Sequence, residues 1–355
     1  MRLGIIGLPQ SGKTTIFNAL TRGNQPTSTG GGRFEVHTSV VDVPDPRVDR
    51  LSAMFRPKKT TYTKVTFADI AGLDGSTGQS GISGQLLNQL TQMDGFILVV
   101  RAFTDDNIPH PAGSVNPQRD LDTMAEEFLL NDLIAVERKL ERLEEEKKKG
   151  GGRDKAIIQR EKELFDKLHT ILSENKPLRE LSLNAEEQKI LSGFGFLSLK
   201  PLLVVPNLAE DQTEVALTPA PGVEKLPLRG KLEMEIAQLS PDEAEMFMAE
   251  YGLAESSLSR MIRMAYQTLG VQSFFTVGED EVRAWTIPIG ATAPEAAGAI
   301  HSDLQKGFIR AEVVSYDDLI ALGGMAEARS KGKLHVEGKE YVVKDGDIVH
   351  IRFNL

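Results

Sequence analysis

GLPQSGKT, residues 7–14, fits the pattern G-x-x-x-x-G-K-[ST] at every fixed position. A short apolar run precedes it and apolar residues at helical spacing follow it, as expected for a turn between a buried strand and a helix. A glycine-rich turn in that place can aim backbone N–H groups at a polyphosphate, at the positive end of the helix dipole. The stretch therefore predicts a phosphate-binding loop.

The residue types of this loop suit different parts of a Mg²⁺-bound nucleotide. Lys13 can reach the outer phosphates and is predicted to be catalytic, whereas the Thr14 hydroxyl can ligate Mg²⁺. The predicted nucleotide contacts in this stretch are Gln10, Ser11, Gly12, Lys13, Thr14 and Thr15. Mg²⁺ is therefore the predicted cofactor.

A second motif, DIAG at 69–72, follows a stretch that alternates like a strand. A carboxylate at a strand end beside the phosphate loop can hold Mg²⁺ through its water shell, and a glycine N–H can sense the γ-phosphate. We therefore predict Asp69 as a metal-site residue and Gly72 as a nucleotide contact. The next residue, Leu73, stands where Ras-like switches carry a water-orienting glutamine. Hydrolysis must then use another group, or be slow until a partner supplies one.

The base-recognition element is predicted just after an apolar strand at residues 201–205. GTP-specific proteins carry N-K-x-D there, and the aspartate accepts hydrogen bonds from guanine; this chain has NLAE at 207–210. Adenine has an acceptor at N1 and no 2-amino donor, so a carboxylate there gains nothing from it. Adenine is therefore a serious candidate for the bound base, and guanine remains an alternative. The predicted base contacts are Asn207, Leu208, Glu210 and, in the following loop, Gly230.

Composition narrows the class of protein. The 355 residues suggest two or three domains, and the absence of cysteine excludes disulfides and cysteine-ligated metals. No apolar run is long enough to span a bilayer, so we expect a cytoplasmic protein without membrane partners. The net charge of −10 argues against broad coating of DNA or RNA, although a local basic patch on one domain is compatible with it.

Residues 122–196 are strongly charged and carry apolar residues at helical spacing. A 4-3-4-3 seam is formed by Leu129, Leu133, Val136, Leu140 and Leu143, and a second amphipathic helix is predicted from Ile157, Leu164, Leu168 and Leu172. Three glycines at 150–152 separate the two stretches. This pattern predicts an antiparallel helical hairpin, and such an arm could hold a partner.

From Val271 onward the composition turns β-rich, with apolar stretches at 274–278, 282–287 and 341–349. Residues 293–304 between them have the pattern of a helix. The pair Asp345-Gly346 is a hairpin signal. These features predict a small sheet crossed by a helix.

Taken together, the residues resemble the YchF / Obg-like ATPase family over almost the whole chain. The resemblance rests on GLPQSGKTTIFNALT at 7–21, VPDPRVDRL at 43–51, DIAGL at 69–73, NLAE at 207–210, AAGAIHSDLQKGFIRAEV at 296–313 and EGKEYVVKDGDIVHIRFN at 337–354. It implies an α/β fold: a Ras-like P-loop NTPase (OBG-type G) domain, a coiled-coil helical insertion and a C-terminal ubiquitin-like β-grasp (TGS) domain. The domain boundaries expected are 1–121 with 197–270, 122–196 and 271–355.

The resemblance also implies an activity. The family hydrolyses ATP, often in preference to GTP, and associates with ribosomes. Its apolar residue in place of the catalytic glutamine matches Leu73, and its proposed catalytic histidine falls at His110, which as a lone loop histidine would otherwise be interpreted as structural or solvated. Three places depart from the family pattern: Gln10 replaces the usual asparagine, Arg33 in the loop at 30–36 falls where a switch threonine would ligate Mg²⁺, and Arg229-Gly230-Lys231 replaces Ser/Cys-Ala-Lys. A second protein ligand to the metal is therefore left open.

The leading hypothesis is a Mg²⁺-dependent ATPase switch whose hydrolysis of ATP to ADP gates a ribosome or RNA contact through the arm and the TGS domain. A GTPase of the same class is the second hypothesis. A nucleotide-gated ribosome- or RNA-binding protein with negligible turnover is the third, and Leu73 and Arg33 favour it.

Overall fold

The computed structural model describes residues 1–25, 36–70, 82, 84–149, 152–250 and 255–354. Arg33, Gly72 and Leu73 therefore lie outside the described residues. The chain divides into two compact units, Met1–Ser39 with Thr66–Leu258, and Val40–Val65 with Ser259–Leu355. No helix in the described ranges has the length and apolar character needed to cross a membrane.

The described residues form twelve strands and thirteen α-helices. The strands are β1 (Arg2–Ile6), β2 (Val36–Asp42), β3 (Lys59–Thr61), β4 (Lys64–Ile70), β5 (Gly95–Arg101), β6 (Leu202–Asn207), β7 (Glu224–Lys225), β8 (Val271–Thr276), β9 (Glu281–Pro288), β10 (Phe308–Ser315), β11 (His335–Glu337) and β12 (Asp347–Phe353). The helices are α1 (Lys13–Thr21), α2 (Pro46–Phe55), α3 (Gly84–Thr91), α4 (Pro117–Lys149), α5 (Lys155–Ser173), α6 (Ala185–Leu191), α7 (Gly230–Gln238), α8 (Pro241–Glu250), α9 (Ser257–Thr268), α10 (Ala293–Ile300), α11 (Ser302–Lys306), α12 (Tyr316–Leu322) and α13 (Met325–Ser330).

The first sheet has the strand order β2-β4-β1-β5-β6-β7. Strand β1 pairs in parallel with β4 and β5, and β5 pairs in parallel with β6. Every residue of β5 is buried, as its continuous apolar sequence predicts for a strand covered on both faces. Because the carboxyl ends of parallel strands meet at one edge, the loop after β1, Asp69 of β4, Arg101 of β5 and Asn207 of β6 come together there.

The helical insertion is built on α4 and α5, which pack against each other. Val136 and Leu168 are fully buried in their shared core, and Lys139 pairs with Glu161 at 2.8 Å. The predicted seam position Ile157 is wrong: this side chain is 48% exposed, whereas Ile158 is buried. Ile158 lies seven residues, about two helical turns, before the fully buried Phe165, so it shares the inward face of that residue.

The second unit contains a sheet in the order β11-β10-β12-β8-β9-β3. Strands β8 and β9 form an antiparallel hairpin, β12 lies parallel to β8, and the buried alanines of α10 pack on this sheet. This is the predicted β-grasp arrangement of a sheet crossed by a helix. The unit also takes in residues 40–65, which the expected domain boundaries assigned to the nucleotide domain, because β3 pairs with β9 and α2 packs into the same core.

The hairpin predicted at Asp345-Gly346 is wrong. These residues form a tight turn that enters β12, and the partners of β12 are β10 and β8. Asp345 Oδ1 accepts a hydrogen bond from the Ser273 N–H (3.0 Å), and Gly346 N–H donates to Ser273 O (2.8 Å). The turn residues therefore bond to β8, a strand about 70 positions earlier, which local turn chemistry does not reveal.

Candidate functional site

The phosphate loop connects β1 to α1 and depends on two glycines. Gly7 has φ +151° and Gly12 has φ +92°, and both are conformations that residues with a side chain rarely adopt. A Cβ at Gly7 would collide with Val99 O, and a Cβ at Gly12 would collide with the Asn207 amide nitrogen. The G-x-x-x-x-G spacing is therefore required by backbone conformation and by close packing.

The first turn of α1 has the features of an anion site. Gly12 is its N-cap and provides no side-chain cap, so the first N–H groups of the helix have no intrahelical acceptor. Lys13 is buried in the loop, where its ammonium donates to Leu8 O at 2.9 Å. Ser11 Oγ is buried and has no hydrogen-bond partner among the described residues. A bound phosphate would accept hydrogen bonds from these donors and balance the charge of Lys13.

Thr14 and Asp69 form the candidate metal site. Thr14 Oγ1 donates to Asp69 Oδ2 at 2.7 Å. Asp69 is buried, and its Oδ1 has no partner among the described residues. Burial raises the pKa of this carboxyl, and the Thr14 hydrogen bond together with the nearby Lys13 and His37 opposes that rise. A hydroxyl beside a buried carboxylate with one unpartnered oxygen fits the oxygen chemistry of Mg²⁺.

The rest of this metal site must come from elsewhere. The described ranges contain no cluster of three or more metal-ligating side chains. A site with one hydroxyl and one carboxylate suits a cation that keeps several waters and is completed by substrate phosphates.

Asn207 connects the phosphate loop to the start of α7. Its Nδ2 donates to Ser11 O (3.0 Å) and its Oδ1 accepts from Gly230 N–H (3.0 Å). The side chain is buried, and a Cβ at Gly230 would lie only 2.7 Å from Asn207 Oδ1. Because the amide has two N–H groups and two acceptor lone pairs, one of each remains for a base. In this structure Asn207 is a clamp that positions the loop.

The remaining predicted base contacts differ in exposure. Leu208 is buried, and its N–H donates to Leu228 O at 2.7 Å. Glu210 is exposed and forms an ion pair with Lys231 at 2.8 Å. The side chain of Glu210 is thus at the surface, with an oxygen already bonded to an ammonium.

His110 borders the phosphate loop. It shares the lining of one small pocket with Leu8, Pro9 and Ser11. Its Nδ1 accepts from the Ala112 N–H (3.1 Å), so Nε2 carries the proton and donates to Asp120 Oδ2 at 2.8 Å. The ring is buried and both of its nitrogens are bonded to protein atoms.

The carboxylate partner of His110 is itself fully bonded. Arg119 donates to Asp120 Oδ1 from Nε (3.0 Å) and from a terminal nitrogen (2.8 Å), and also to Ser114 O. We call His110, Asp120 and Arg119 the histidine cluster. Sequence reasoning missed Asp120 and Arg119, which lie ten and nine residues after His110 and just before the arm predicted at 122–196.

Arg101 is a second residue that sequence reasoning missed. It is buried at the carboxyl end of β5, lines the same pocket as His110 and donates to Phe103 O and Ile108 O. Burial lowers the pKa of its guanidinium. Its contacts position the segment that leads to His110. The sequence signal was a charge at the end of an otherwise apolar strand.

The structure therefore brings together most of the predicted site. The loop, its helix N-terminus, Asp69, Asn207 and Gly230 surround one point at the sheet edge, and Thr15 lies in the first turn of α1. Glu210 lies at the surface beside Lys231, and His110 lines a small pocket together with residues of the loop.

A phosphate loop, a helix N-terminus and a threonine–aspartate pair at the edge of a parallel sheet define a P-loop nucleotide hydrolase. Residues 2–139 match the family described as a 50S ribosome-binding GTPase, and residues 271–354 match the YchF GTPase C-terminal family, described as a protein of unknown function (DUF933). The chain belongs to the YchF family.

Individual relatives match over their full length. The ribosome-binding ATPase YchF of Bacillus subtilis is 41% identical over 369 residues, covering 99% of each chain. The protein of the same name from Escherichia coli O157:H7 is 40% identical over 364 residues, covering 100% of this chain and 99% of that one. The solved structure of the Schizosaccharomyces pombe YchF GTPase has a TM-score of 0.82 at 31% identity and covers 99% of this chain and 97% of its own. The predicted family and fold class are confirmed.

Proposed function

We propose that this protein is a Mg²⁺-dependent ATPase that hydrolyses ATP in preference to GTP and acts as a ribosome-associated switch. The observation that carries the base preference is the ion pair between Glu210 and Lys231 at 2.8 Å. Guanine offers two donors that need a free acceptor, and a carboxylate already bonded to an ammonium is a weaker acceptor for them. Adenine needs no such group. The bacterial relatives are named ribosome-binding ATPases, which supports the same conclusion.

The proposed roles of the loop residues follow from their contacts. The first-turn N–H groups and Lys13 bind the phosphates, and Gln10, Ser11 and Thr15 complete the cradle. Thr14 and Asp69 would hold Mg²⁺, directly or through water, when the nucleotide is present. When bound, the cation neutralises charge on the transferred phosphate. Gly72, outside the described residues, is proposed to sense the γ-phosphate.

His110 is proposed to orient the attacking water, in place of the side chain that Leu73 cannot provide. In the present arrangement its Nε2–H is donated to Asp120 and its Nδ1 accepts from Ala112. The ring must therefore leave at least one of these bonds before it can contact a water. Catalysis would then depend on a rearrangement of the segment that carries His110.

Ribosome association is proposed to involve the helical insertion and the C-terminal unit, with RNA contact as one route and without DNA or membrane partners. We propose a cytoplasmic location because ribosome association requires it. We retain the domain division of nucleotide domain, insertion and TGS domain as a functional proposal, with residues 40–65 grouped structurally with the C-terminal unit.

Titration calorimetry tests the base preference directly. ATP and GTP are compared in the presence of Mg²⁺ on the natural protein, on Glu210→Asp and on Lys231→Ala. We expect ATP to bind at least about tenfold more tightly, a difference of about 1.4 kcal/mol. We also expect Lys231→Ala to improve GTP binding, because it frees the Glu210 carboxylate. Tighter binding of GTP by the natural protein would establish a guanine switch instead.

Two other functions have specific support. A GTPase is favoured by the description of the matched N-terminal family and by the name of the yeast relative, a YchF GTPase. A nucleotide-gated binding protein with negligible turnover is favoured by the bonded state of His110. Phosphate release is measured from ATP and from GTP, with and without ribosomes. The ATPase is supported if ATP is hydrolysed and His110→Ala lowers this rate by about 100-fold while nucleotide affinity stays unchanged.

A further inference from the structure

A cavity of about 130 Å³ lies between the first sheet and the base of the helical insertion. Its lining is mostly apolar and comes from segments far apart in the chain, including Ile6, Leu98, Leu121, Phe128, Leu202 and Val223. This volume is close to that of engineered cavities, about 150 Å³, that bind a benzene ring. The cavity is separate from the phosphate loop, and none of the proposed nucleotide contacts lines it.

One cation interrupts the apolar lining. Arg179 lines the cavity and is half-buried, and burial lowers the pKa of its guanidinium although Asp132 and Glu180 oppose this. Among the described residues the guanidinium makes one hydrogen bond, from Nε to Lys200 O at 3.1 Å, and no ion pair with a carboxylate. Within that part of the chain, its four terminal N–H donors are therefore left without a protein acceptor.

Asp132, the carboxylate with the larger electrostatic effect on Arg179, is already bonded to other groups. Asp132 accepts hydrogen bonds from the backbone N–H groups of Leu197 (2.9 Å) and Ser198 (2.7 Å). It balances the charge of Arg179 only from a distance. A planar guanidinium with free terminal donors matches a carboxylate in a bidentate pair.

We propose that this cavity is a binding site for a small monocarboxylate with a single ring or a branched apolar chain. The apolar part would fill the space beside Leu98 and Phe128, and the carboxylate would pair with Arg179. Asp122 at the mouth carries a negative charge, which disfavours a ligand with a second anionic group. This combination of an apolar pocket and a few convergent polar groups is typical of small-molecule sites.

The site has a structural connection to the nucleotide domain. Met124 and Leu98 line both this cavity and the pocket that contains His110. Asp120, the partner of His110, lies one turn before Met124 on α4. A ligand in the cavity would therefore press on the helix that holds the histidine cluster, and the Met124 methyl group reports on it.

Methyl NMR on the full chain tests the proposal. The protein is labelled with ¹³C at the methyl groups of its 10 methionines, and Met124 is assigned with Met124→Leu. The probe is benzoate, titrated to about 20 mM, above the Kd of about 1 mM expected for a ligand of this size. Two controls are used at the same concentrations: acetate has the carboxylate without the ring, and benzyl alcohol has the ring without the charge. We expect saturable shifts of Met124 with benzoate and at least about tenfold weaker binding of both controls.

Two kinds of variant locate the site. Arg179→Gln should weaken benzoate at least about tenfold, and Arg179→Lys should weaken it less because the charge remains. Ala220 is an exposed residue of the cavity lining, so Ala220→Trp places a large side chain in the cavity while keeping Arg179, and it should abolish the Met124 shifts. Nucleotide affinity, measured on each variant, shows that the fold is intact.

Three results would overturn the proposal. Benzyl alcohol binding as well as benzoate would overturn the assignment of an anion site. Binding unaffected by Ala220→Trp would place the ligand elsewhere and overturn the proposal, as would the absence of any saturable shift with benzoate on the natural protein.

Discussion

The phosphate loop and the histidine cluster are neighbouring polar regions that differ in how their hydrogen bonds are completed. Around the loop, Ser11 Oγ and Asp69 Oδ1 are buried and have no partner within the described residues. In the cluster, both nitrogens of His110 and both oxygens of Asp120 are bonded. A buried polar atom without a partner costs about 1–3 kcal/mol. Such a cost is tolerated where a bound ligand offsets it. The unpartnered atoms of the loop therefore indicate a ligand site, whereas the fully bonded histidine cluster stabilises the fold.

The largest effect is expected at Lys13. Lys13→Ala removes the charge from the loop and should lower kcat/KM for the nucleotide by about 10²–10³-fold, with little loss of stability. Lys225→Ala is the matched control, because Lys225 also donates to a backbone carbonyl, Leu217 O at 2.8 Å, in the same unit. Steady-state phosphate release measures both. Equal losses in the two variants would contradict a specific role of the loop.

Asp120 should matter more for stability than for nucleotide affinity. Asp120→Ala leaves His110 and Arg119 without their shared partner, and we expect the free energy of unfolding to fall by about 3 kcal/mol. Asp122→Ala, on the same helix but exposed, should change it by less than about 0.5 kcal/mol. Urea unfolding gives both values. Equally small losses of unfolding free energy in the two variants would show that the histidine cluster does not stabilise the start of α4.

Asn207 combines features of both regions: its amide nitrogen and oxygen are each bonded to protein atoms, and it contacts the phosphate loop. Asn207→Ala removes two buried hydrogen bonds and should destabilise the protein by about 2 kcal/mol. Asn18 is a buried asparagine on α1 that makes two hydrogen bonds to Gln25 (2.8 and 2.9 Å), so Asn18→Ala is its control. We expect similar losses of stability but weaker nucleotide binding only in Asn207→Ala. Hydrogen exchange of the Gly230 amide should accelerate in that variant alone.

The smallest effect on nucleotide binding is expected at Lys200, a half-buried cation outside the site. Its ammonium donates to the carbonyls of Leu90, Thr91 and Met93, and burial lowers its pKa to about 8 from 10.5. Between these pH values the unfolded chain binds more protons, so the unfolding free energy contributed by this group rises with pH.

Lys200→Met removes this contribution. The natural protein should gain stability relative to the variant between pH 8 and 10.5, while nucleotide affinity stays the same in both. Parallel stability curves across that window would show that Lys200 keeps its ordinary pKa in the folded protein.

Sequence patterns predicted the structure well where one local rule was sufficient. The loop at 7–14 and the strand ending at Asp69 needed only spacing and alternation. Prediction failed where a distant segment decided the outcome. Asp345-Gly346 has the local chemistry of a hairpin, but its hydrogen bonds go to Ser273. Ile157 fits a helical seam, but Ile158 shares the inward face of Phe165, two turns later, and Ile157 is left exposed.

The amino-acid sequence by itself determined the class of site, because glycine conformations, a lysine and a threonine at fixed spacing require no partner from elsewhere in the chain. The tertiary structure decided which of those groups are already bonded. It brought Asp120 to His110, placed Asn207 against Ser11, and left Arg179 beside an apolar cavity without a carboxylate partner among the described residues. These outcomes depend on strand order and burial among segments that lie far apart in sequence, where desolvation and packing outweigh local preference.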